Sequence, residues 1–180
     1  MSESTKQERT NEERPAWPRQ VDVPTYFGRL ELGANGRPTA RWEARSLQTV
    51  AVPYPLRLAW EPEVVVRRIT CHRRVARPLG QCLEAVLAHY GSVEAVRAAR
   101  MDLYGGCYNF RTMRGSNALS LHSYGIAIDL DPERNALGQK WVEEKGMMPL
   151  AVVRIFEAAG WTWGGRWNRP DAMHFQAARV

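Results

Sequence analysis

The sequence predicts a small, single-domain α+β fold, on three observations. The chain has 180 residues, a length that one hydrophobic core can serve. Its composition, 44% hydrophobic and 24% charged, is typical of globular proteins rather than disordered or fibrous ones. Strand-like and helix-like segments are both present, but they do not alternate as regular βαβ units and no internal repeat is visible.

The N-terminal part of the chain has a different character from the rest. Residues 1–16 are mostly polar and charged without apolar periodicity, which predicts a disordered tail. Residues 17–62 are dense in Pro, Gly and aromatic residues, and we expect them to form an extension that packs on the domain. Residues 63–180 form the predicted domain itself.

Regular elements are predicted from local patterns. In the extension, the turn signal Asn35-Gly36 predicts a hairpin of strands Tyr26 to Leu32 and Thr39 to Trp42. In the domain, the β-branched run Val64–Ile69 predicts a strand, and a second strand is predicted from Trp161. Apolar residues three and four apart predict helices at Pro78–Tyr90, Val93–Arg100 and Pro149–Ala159.

The net charge bears on which partners the protein binds, and the cysteine content bears on the redox state of its thiols. The net charge of +6 favours polyanions in general, but the basic residues are scattered and not interleaved with stacking aromatics. We therefore predict a solvated basic surface and no nucleic-acid partner. Three cysteines, Cys71, Cys82 and Cys107, form no C-x-x-C pair, and reduced thiols are the simplest expectation.

The sequence also bears on localisation. The polar first residues lack the apolar core of a secretory signal, and no run approaches the roughly 20 apolar residues that span a bilayer. We expect synthesis in the cytoplasm and no stable membrane insertion.

Two segments carry residues suited to metal chemistry. From Ser120 to Asp131, apolar residues alternate with others as in a strand with one apolar face, and Asp129 lies on the opposite face. Small residues before Asp129 leave space between it and His122, where a metal ion fits. Near the C-terminus, Asp171 and His174 point to one place only if Asp171 lies in a turn before the strand.

Two histidines and one carboxylate, with a fourth position left to water, are typical of a catalytic zinc site. A separate carboxylate then acts as general base. The alternative for each residue alone is structural, because buried polar residues usually have ordinary hydrogen-bond partners.

The joint pattern, S-x-H-x-x-G-x-A-x-D followed by D-x-x-H, resembles the zinc D-Ala-D-Ala peptidase family. This family includes D,D-carboxypeptidases, D,D-dipeptidases and the L-alanyl-D-glutamate endopeptidases of phage endolysins. The resemblance is close over Ser120–Asp129 and Asp171–His174, and covers the order of elements from Val64 onward. It implies a zinc DD-peptidase (Hedgehog-like) fold with a central antiparallel sheet.

By the same resemblance, His122, Asp129 and His174 bind one catalytic Zn²⁺, and Asp171 is the general base. Family members also use an Arg to polarise the scissile carbonyl. Arg111 is the first candidate for this role, and Arg73 and Arg114 are alternatives. Further candidates for substrate binding are Ser120, Tyr124 and Trp163.

The predicted function is therefore hydrolysis of peptide bonds in bacterial peptidoglycan, with stem peptides as the partner. We expect an endolysin-type endopeptidase that acts as a monomer on the cell wall after release through a holin-type pore. One alternative is a D,D-carboxypeptidase or dipeptidase that trims terminal D-Ala. Another is a zinc-stabilised wall-binding module without turnover.

Overall fold

A computed structural model describes residues 16–113, 115 and 117–180. The predicted tail lies outside the described residues except for Ala16, and so does Arg114, one of the alternative arginines. The described chain forms one mixed α+β domain around a single six-stranded sheet, in agreement with the predicted fold class.

Five helices and six strands make up the described part of the domain. The helices are α1 (Val23–Phe27), α2 (Ala40–Ser46), α3 (Arg73–Tyr90), α4 (Val93–Ala98) and α5 (Leu150–Ala158). The strands are β1 (Leu47–Leu58), β2 (Glu61–His72), β3 (Leu103–Gly106), β4 (Ala127–Leu130), β5 (Thr162–Trp163) and β6 (His174–Gln176). Short 3-10 turns lie at Gln20–Asp22, Leu121–Tyr124, Glu143–Lys145 and Gly164–Arg166.

The sheet has the order β2-β1-β3-β4-β6-β5. Neighbouring strands are antiparallel except β1 and β3, which are parallel. The parallel pair arises because α3 and α4 carry the chain back before β3 begins. The predicted antiparallel sheet is thus correct for four of its five strand pairs.

The apolar face of α3 covers the sheet. Leu79, Leu83 and Val86 are fully buried, and the helix lies against β1, α4 and α5. The predicted start at Pro78 is wrong, because α3 begins at Arg73 and holds Pro78 inside it. His72 caps this earlier start: its Nδ1 accepts a hydrogen bond of 3.2 Å from the Arg74 backbone N–H.

The predicted hairpin around Asn35-Gly36 is wrong for most of its length. A turn joins Leu32 to Pro38 through an isolated antiparallel bridge, but α1 and α2 occupy the flanking residues. The Thr39 side chain accepts a 3.1 Å hydrogen bond from the Trp42 backbone N–H and so caps α2. Trp42 is thereby turned into the core, where it is fully buried.

The N-terminal segment is joined to the C-terminus. Trp17 packs on Phe27 and Trp161, with ring centroids 6.1 and 6.2 Å apart. The Gln20 backbone N–H donates to the Arg179 carbonyl at 2.8 Å. Strand β1, which lies within the predicted extension, belongs to the same sheet as the predicted domain. The division of the chain at residue 62 stays a prediction.

The three cysteines are buried as free thiols. Burial raises the pKa of Cys71 and of Cys82 to about 12, so both remain protonated at neutral pH. Across the described part of the chain, no helix combines the length and apolar character needed to cross a membrane.

Candidate metal centre

The centre of the sheet brings Asp129 and His174 side by side. They are direct cross-strand partners in the antiparallel pair of β4 and β6, so their side chains leave the sheet on the same face. His174 Nδ1 lies 2.9 Å from Asp129 Oδ1. Gly105 on β3 makes room for this carboxylate, because a Cβ there would lie 2.8 Å from the Asp129 Cβ.

His122 reaches the same point from the 3-10 turn before β4. Ser120 caps this turn by accepting a 3.3 Å hydrogen bond from the His122 backbone N–H. The His122 ring is held by the Cys107 carbonyl, 2.8 Å from Nδ1. Since a carbonyl only accepts, Nδ1 carries the proton and Nε2 presents a lone pair to the centre.

The orientation of His174 is fixed by Gln176, two residues further along β6. The Gln176 Nε2 donates to the Ala178 carbonyl at 2.9 Å, so its Oε1 faces His174 Nε2 at 3.2 Å. The Gln20 Nε2 donates to the same Oε1 at 3.3 Å. His174 Nε2 therefore donates to Gln176, and Nδ1 faces the other two ligands.

These three side chains fit a bound cation. One ligand atom from each of His122, Asp129 and His174 lies within 4.8 Å of the others, and all three residues are buried. His122 Nε2 is 3.2 Å from both His174 Nδ1 and Asp129 Oδ2. Two nitrogen lone pairs and a carboxylate that converge in a buried space need a positive charge between them. Nitrogen and oxygen donors of this kind suit zinc.

The titration of the cluster follows from these contacts. Burial acts to raise the pKa of Asp129, but the imidazoles of His122 and His174 outweigh it, so the carboxyl pKa is lowered. Burial acts to lower the pKa of His174, but Asp129 outweighs it and the pKa is raised. Asp129 is thus ionised at neutral pH and favours positive charge on its partners, whether a proton or a metal ion.

Asp171 lies beside the cluster in the turn before β6, as predicted. Its backbone carbonyl accepts from the His174 N–H at 3.1 Å, and its N–H donates to the Gly164 carbonyl at 3.0 Å. A Cβ at Gly164 would lie 2.5 Å from the Asp171 carbonyl oxygen, so only glycine permits this close approach.

The Asp171 carboxyl group is partly buried and incompletely hydrogen-bonded. Within the described part of the chain, its Oδ1 is buried without a hydrogen-bond partner. Burial raises the pKa of Asp171 to about 6, against the opposing effect of the His174 imidazole. A carboxyl group with a pKa near neutrality and an unpaired oxygen is suited to accept and return a proton.

The cluster opens into a cleft of about 630 Å³. Its walls include Asp171, Arg111, Arg169 and Trp167 in addition to the three candidate ligands. The backbone of Arg111 is held by Ser123, whose Oγ accepts from the Arg111 N–H at 3.0 Å and donates to its carbonyl at 2.7 Å. Arg111 also acts on Asp171 electrostatically, since its charge opposes the rise of the Asp171 pKa.

The other residues predicted to bind substrate do not all line the cleft. Ser120 lines the cleft, but Arg73, Tyr124 and Trp163 are not among its described lining residues. Arg73 donates to the Ala44 carbonyl at 3.0 Å. Tyr124 packs edge-on against Trp42. Trp163 is buried and donates from its Nε1 to the Ala172 carbonyl at 2.8 Å.

Sequence reasoning missed several residues of the site. Gln176 was detectable, because it stands two residues after His174 and so shares its face of the strand. Trp60, Gln20 and Arg169 also line the cleft. No local pattern marks these three, since their position depends on how distant segments pack.

Comparison with known proteins gives a match to part of the chain. No curated protein matches it, and no solved structure does. A family model described as D-alanyl-D-alanine carboxypeptidase matches residues 114–177, about a third of the chain. The matched stretch holds His122, Asp129, Asp171 and His174, so this part of the chain is similar to that family over the whole of the candidate centre.

Proposed function

We propose that the protein is a zinc metallopeptidase that hydrolyses peptide bonds of bacterial peptidoglycan. The main support is the placement of Asp171, a carboxyl group with an unpaired buried oxygen, in the same cleft as the His122, Asp129 and His174 cluster. A structural metal site needs no such base and leaves no open side. The match to a D-alanyl-D-alanine carboxypeptidase model supports the substrate class.

In this proposal each residue has one task. His122, Asp129 and His174 hold zinc, which supplies a Lewis acid for the scissile carbonyl and lowers the pKa of water. Asp171 takes a proton from the attacking water and delivers it to the leaving amine. Arg111 contributes positive charge where the carbonyl oxygen becomes negative.

The position of the cleaved peptide bond in peptidoglycan is a separate question. We propose an endolysin-type endopeptidase that cleaves the L-alanyl-D-glutamate or a related stem-peptide bond as a monomer, after release through a holin-type pore. The net charge of +6 supports a substrate that carries carboxylates. A D,D-carboxypeptidase is the second candidate, and the description of the matching family model favours it.

Metal analysis and a peptidoglycan assay on two variants test this function. We expect about one zinc ion per wild-type chain and loss of activity with a chelator. Asp171→Asn should keep the zinc and lower kcat about 10²- to 10⁴-fold, because only proton transfer is removed. His174→Ala should lose both zinc and activity.

An Asp171→Asn variant as active as the wild type would refute the assigned base. Mass spectrometry of the released muropeptides then separates the two bond classes. Release of single D-Ala indicates a carboxypeptidase, whereas release of whole stems or cross-links indicates an endopeptidase. Wall binding without new amino groups would instead favour the binding module.

A further inference from the structure

The tip of the β1–β2 hairpin carries an unusually exposed tryptophan. Residues 60–65 of the hairpin are all exposed, and Trp60 at its turn has 67% of its surface accessible. Trp60 nevertheless lines the same cleft as His122, Asp129 and His174. An exposed indole in a cleft is a strong candidate for ligand contact, because large aromatic side chains dominate binding surfaces.

The position of Trp60 relative to the metal centre is set by the sheet. The Ala59 backbone N–H donates to the Tyr104 carbonyl at 3.0 Å, and Leu58 pairs with Tyr104 in the β1–β3 ladder. The next residue of β3, Gly105, is packed against Asp129. A few residues of hydrogen-bonded strand therefore join the base of the hairpin tip to a candidate metal ligand, so the backbone that carries Trp60 has a fixed position relative to the metal centre.

The charge at the tip restricts what the indole contacts. Glu61 and Glu63, one and three residues after Trp60, are both exposed, in a protein whose net charge is +6. Acidic side chains next to the indole oppose stem-peptide carboxylates, anionic lipids and nucleic acid. A neutral ligand with an apolar face suits this position best.

A sugar ring has that chemistry. One face of a pyranose presents C–H groups that stack on an indole, while its hydroxyl and acetamido groups need hydrogen bonds. Gln20, Asn109 and Arg169 line the same cleft and offer amide and guanidinium groups for them. Trp167 supplies a second indole to the cleft.

We propose that Trp60 forms a subsite for an uncharged N-acetylated sugar ring of the glycan strand that carries the stem peptide. The inference deepens the proposed function and rests on it. The peptide bond lies at the metal centre, and the glycan lies toward the hairpin tip. Trp60 thereby makes the enzyme prefer stem peptides that are still attached to their sugar.

Two substrates with the same peptide test the subsite: a free stem peptide, and that peptide on its disaccharide. Trp60→Ala should lower kcat/KM about tenfold on the disaccharide substrate, mainly through KM, and leave the free peptide within about twofold. Trp60→Phe should retain most of the preference. Leu32→Ala is the control, because Leu32 is also exposed, at 51%, but is not among the cleft residues.

Direct binding separates this inference from the proposed function. A peptide-free oligomer of N-acetylglucosamine is titrated against wild type and Trp60→Ala by calorimetry. Binding to wild type that the variant loses supports the subsite, even if neither substrate is cleaved. Failure of the wild type to bind the oligomer would overturn the subsite. Equal losses on both substrates would do the same, since Trp60 would then contact the peptide.

Discussion

The segment from Ser120 to Gln176 carries the three candidate ligands and the candidate base, whereas the segment from Trp17 to His72 carries none of them. The N-terminal segment nevertheless contributes Gln20 and Trp60 to the cleft. It also provides the two longest strands of the sheet. The family model matches residues 114–177 and does not reach this N-terminal segment.

The difference shows how the two segments divide the work. The C-terminal segment provides the candidate metal ligands and the candidate base. The N-terminal segment provides Gln20, whose contact with Gln176 supports the orientation of His174, and Trp60, which lines the cleft. Under the proposed function, part of what determines substrate specificity would lie in residues 17–72, which the family model does not match.

The largest expected effect tests how closely the C-terminal segment must pack. Gly164→Ala places a Cβ 2.5 Å from the Asp171 carbonyl oxygen, so the turn that carries the base must move. We expect kcat to fall about 10²-fold, because a shift of about 1 Å in a catalytic group has that cost. Zinc content should not change.

Gly80→Ala is the matched control, since a Cβ at Gly80 meets nothing within 4 Å. Peptidoglycan turnover and metal analysis on both variants make the measurement. A Gly164→Ala enzyme with normal kcat would show that the position of Asp171 tolerates this movement.

The next largest effect is on zinc affinity, and it involves one residue from each segment. Gln176→Leu removes the acceptor that fixes the His174 ring, and we expect zinc to bind about 10- to 100-fold more weakly. Gln20→Ala removes only the contact behind Gln176 and should weaken binding by less than about tenfold. Competition with a chromophoric chelator measures both. Unchanged affinity in Gln176→Leu would show that His174 is oriented without this bond.

The smallest effect concerns the pH dependence of stability in the N-terminal segment. Burial lowers the pKa of His72, assisted by Arg74, while the hydrogen bond from its Nε2 to the Phe27 carbonyl opposes the shift. The unfolded chain therefore binds a proton at His72 more readily than the folded one. Its contribution to stability is present above the unfolded pKa of about 6.5 and is lost as the pH falls below it.

The loss amounts to at most about 1.4 kcal/mol per pH unit for one such group. His72→Asn keeps a good helix cap without a titrating group, so it should have a shallower pH dependence between pH 7 and 5.5. Urea unfolding of both proteins over this range measures the difference. Parallel curves would contradict the assignment of this titration to His72.

The sequence predicted which residues meet at the centre, because His122, Asp129, Asp171 and His174 stand in a pattern that resembles that of the zinc D-Ala-D-Ala peptidase family. Helix ends with standard caps were predicted as well: Ser92 caps α4, and α3 ends before Gly91. The start of α3 was missed because histidine is an unusual cap.

Contacts between distant segments were harder to predict. The indole of Trp163 and the phenol of Tyr124 are buried and are not among the described residues of the cleft wall, so their contact with substrate stays a prediction. Trp60 enters the cleft only because β1 lies next to β3, which periodicity does not reveal.

The cross-strand pairing of Asp129 with His174 has a consequence for assembly of the sheet. Strands β4 and β6 are short, and slipping one past the other by a single residue would send His174 to the opposite face. Any divalent ion held by both side chains binds only the correctly aligned pair, so it stabilises that alignment over its neighbours. A metal ion at this site would then also select the correct strand alignment, and loss of the metal would permit misaligned pairing at the middle of the sheet.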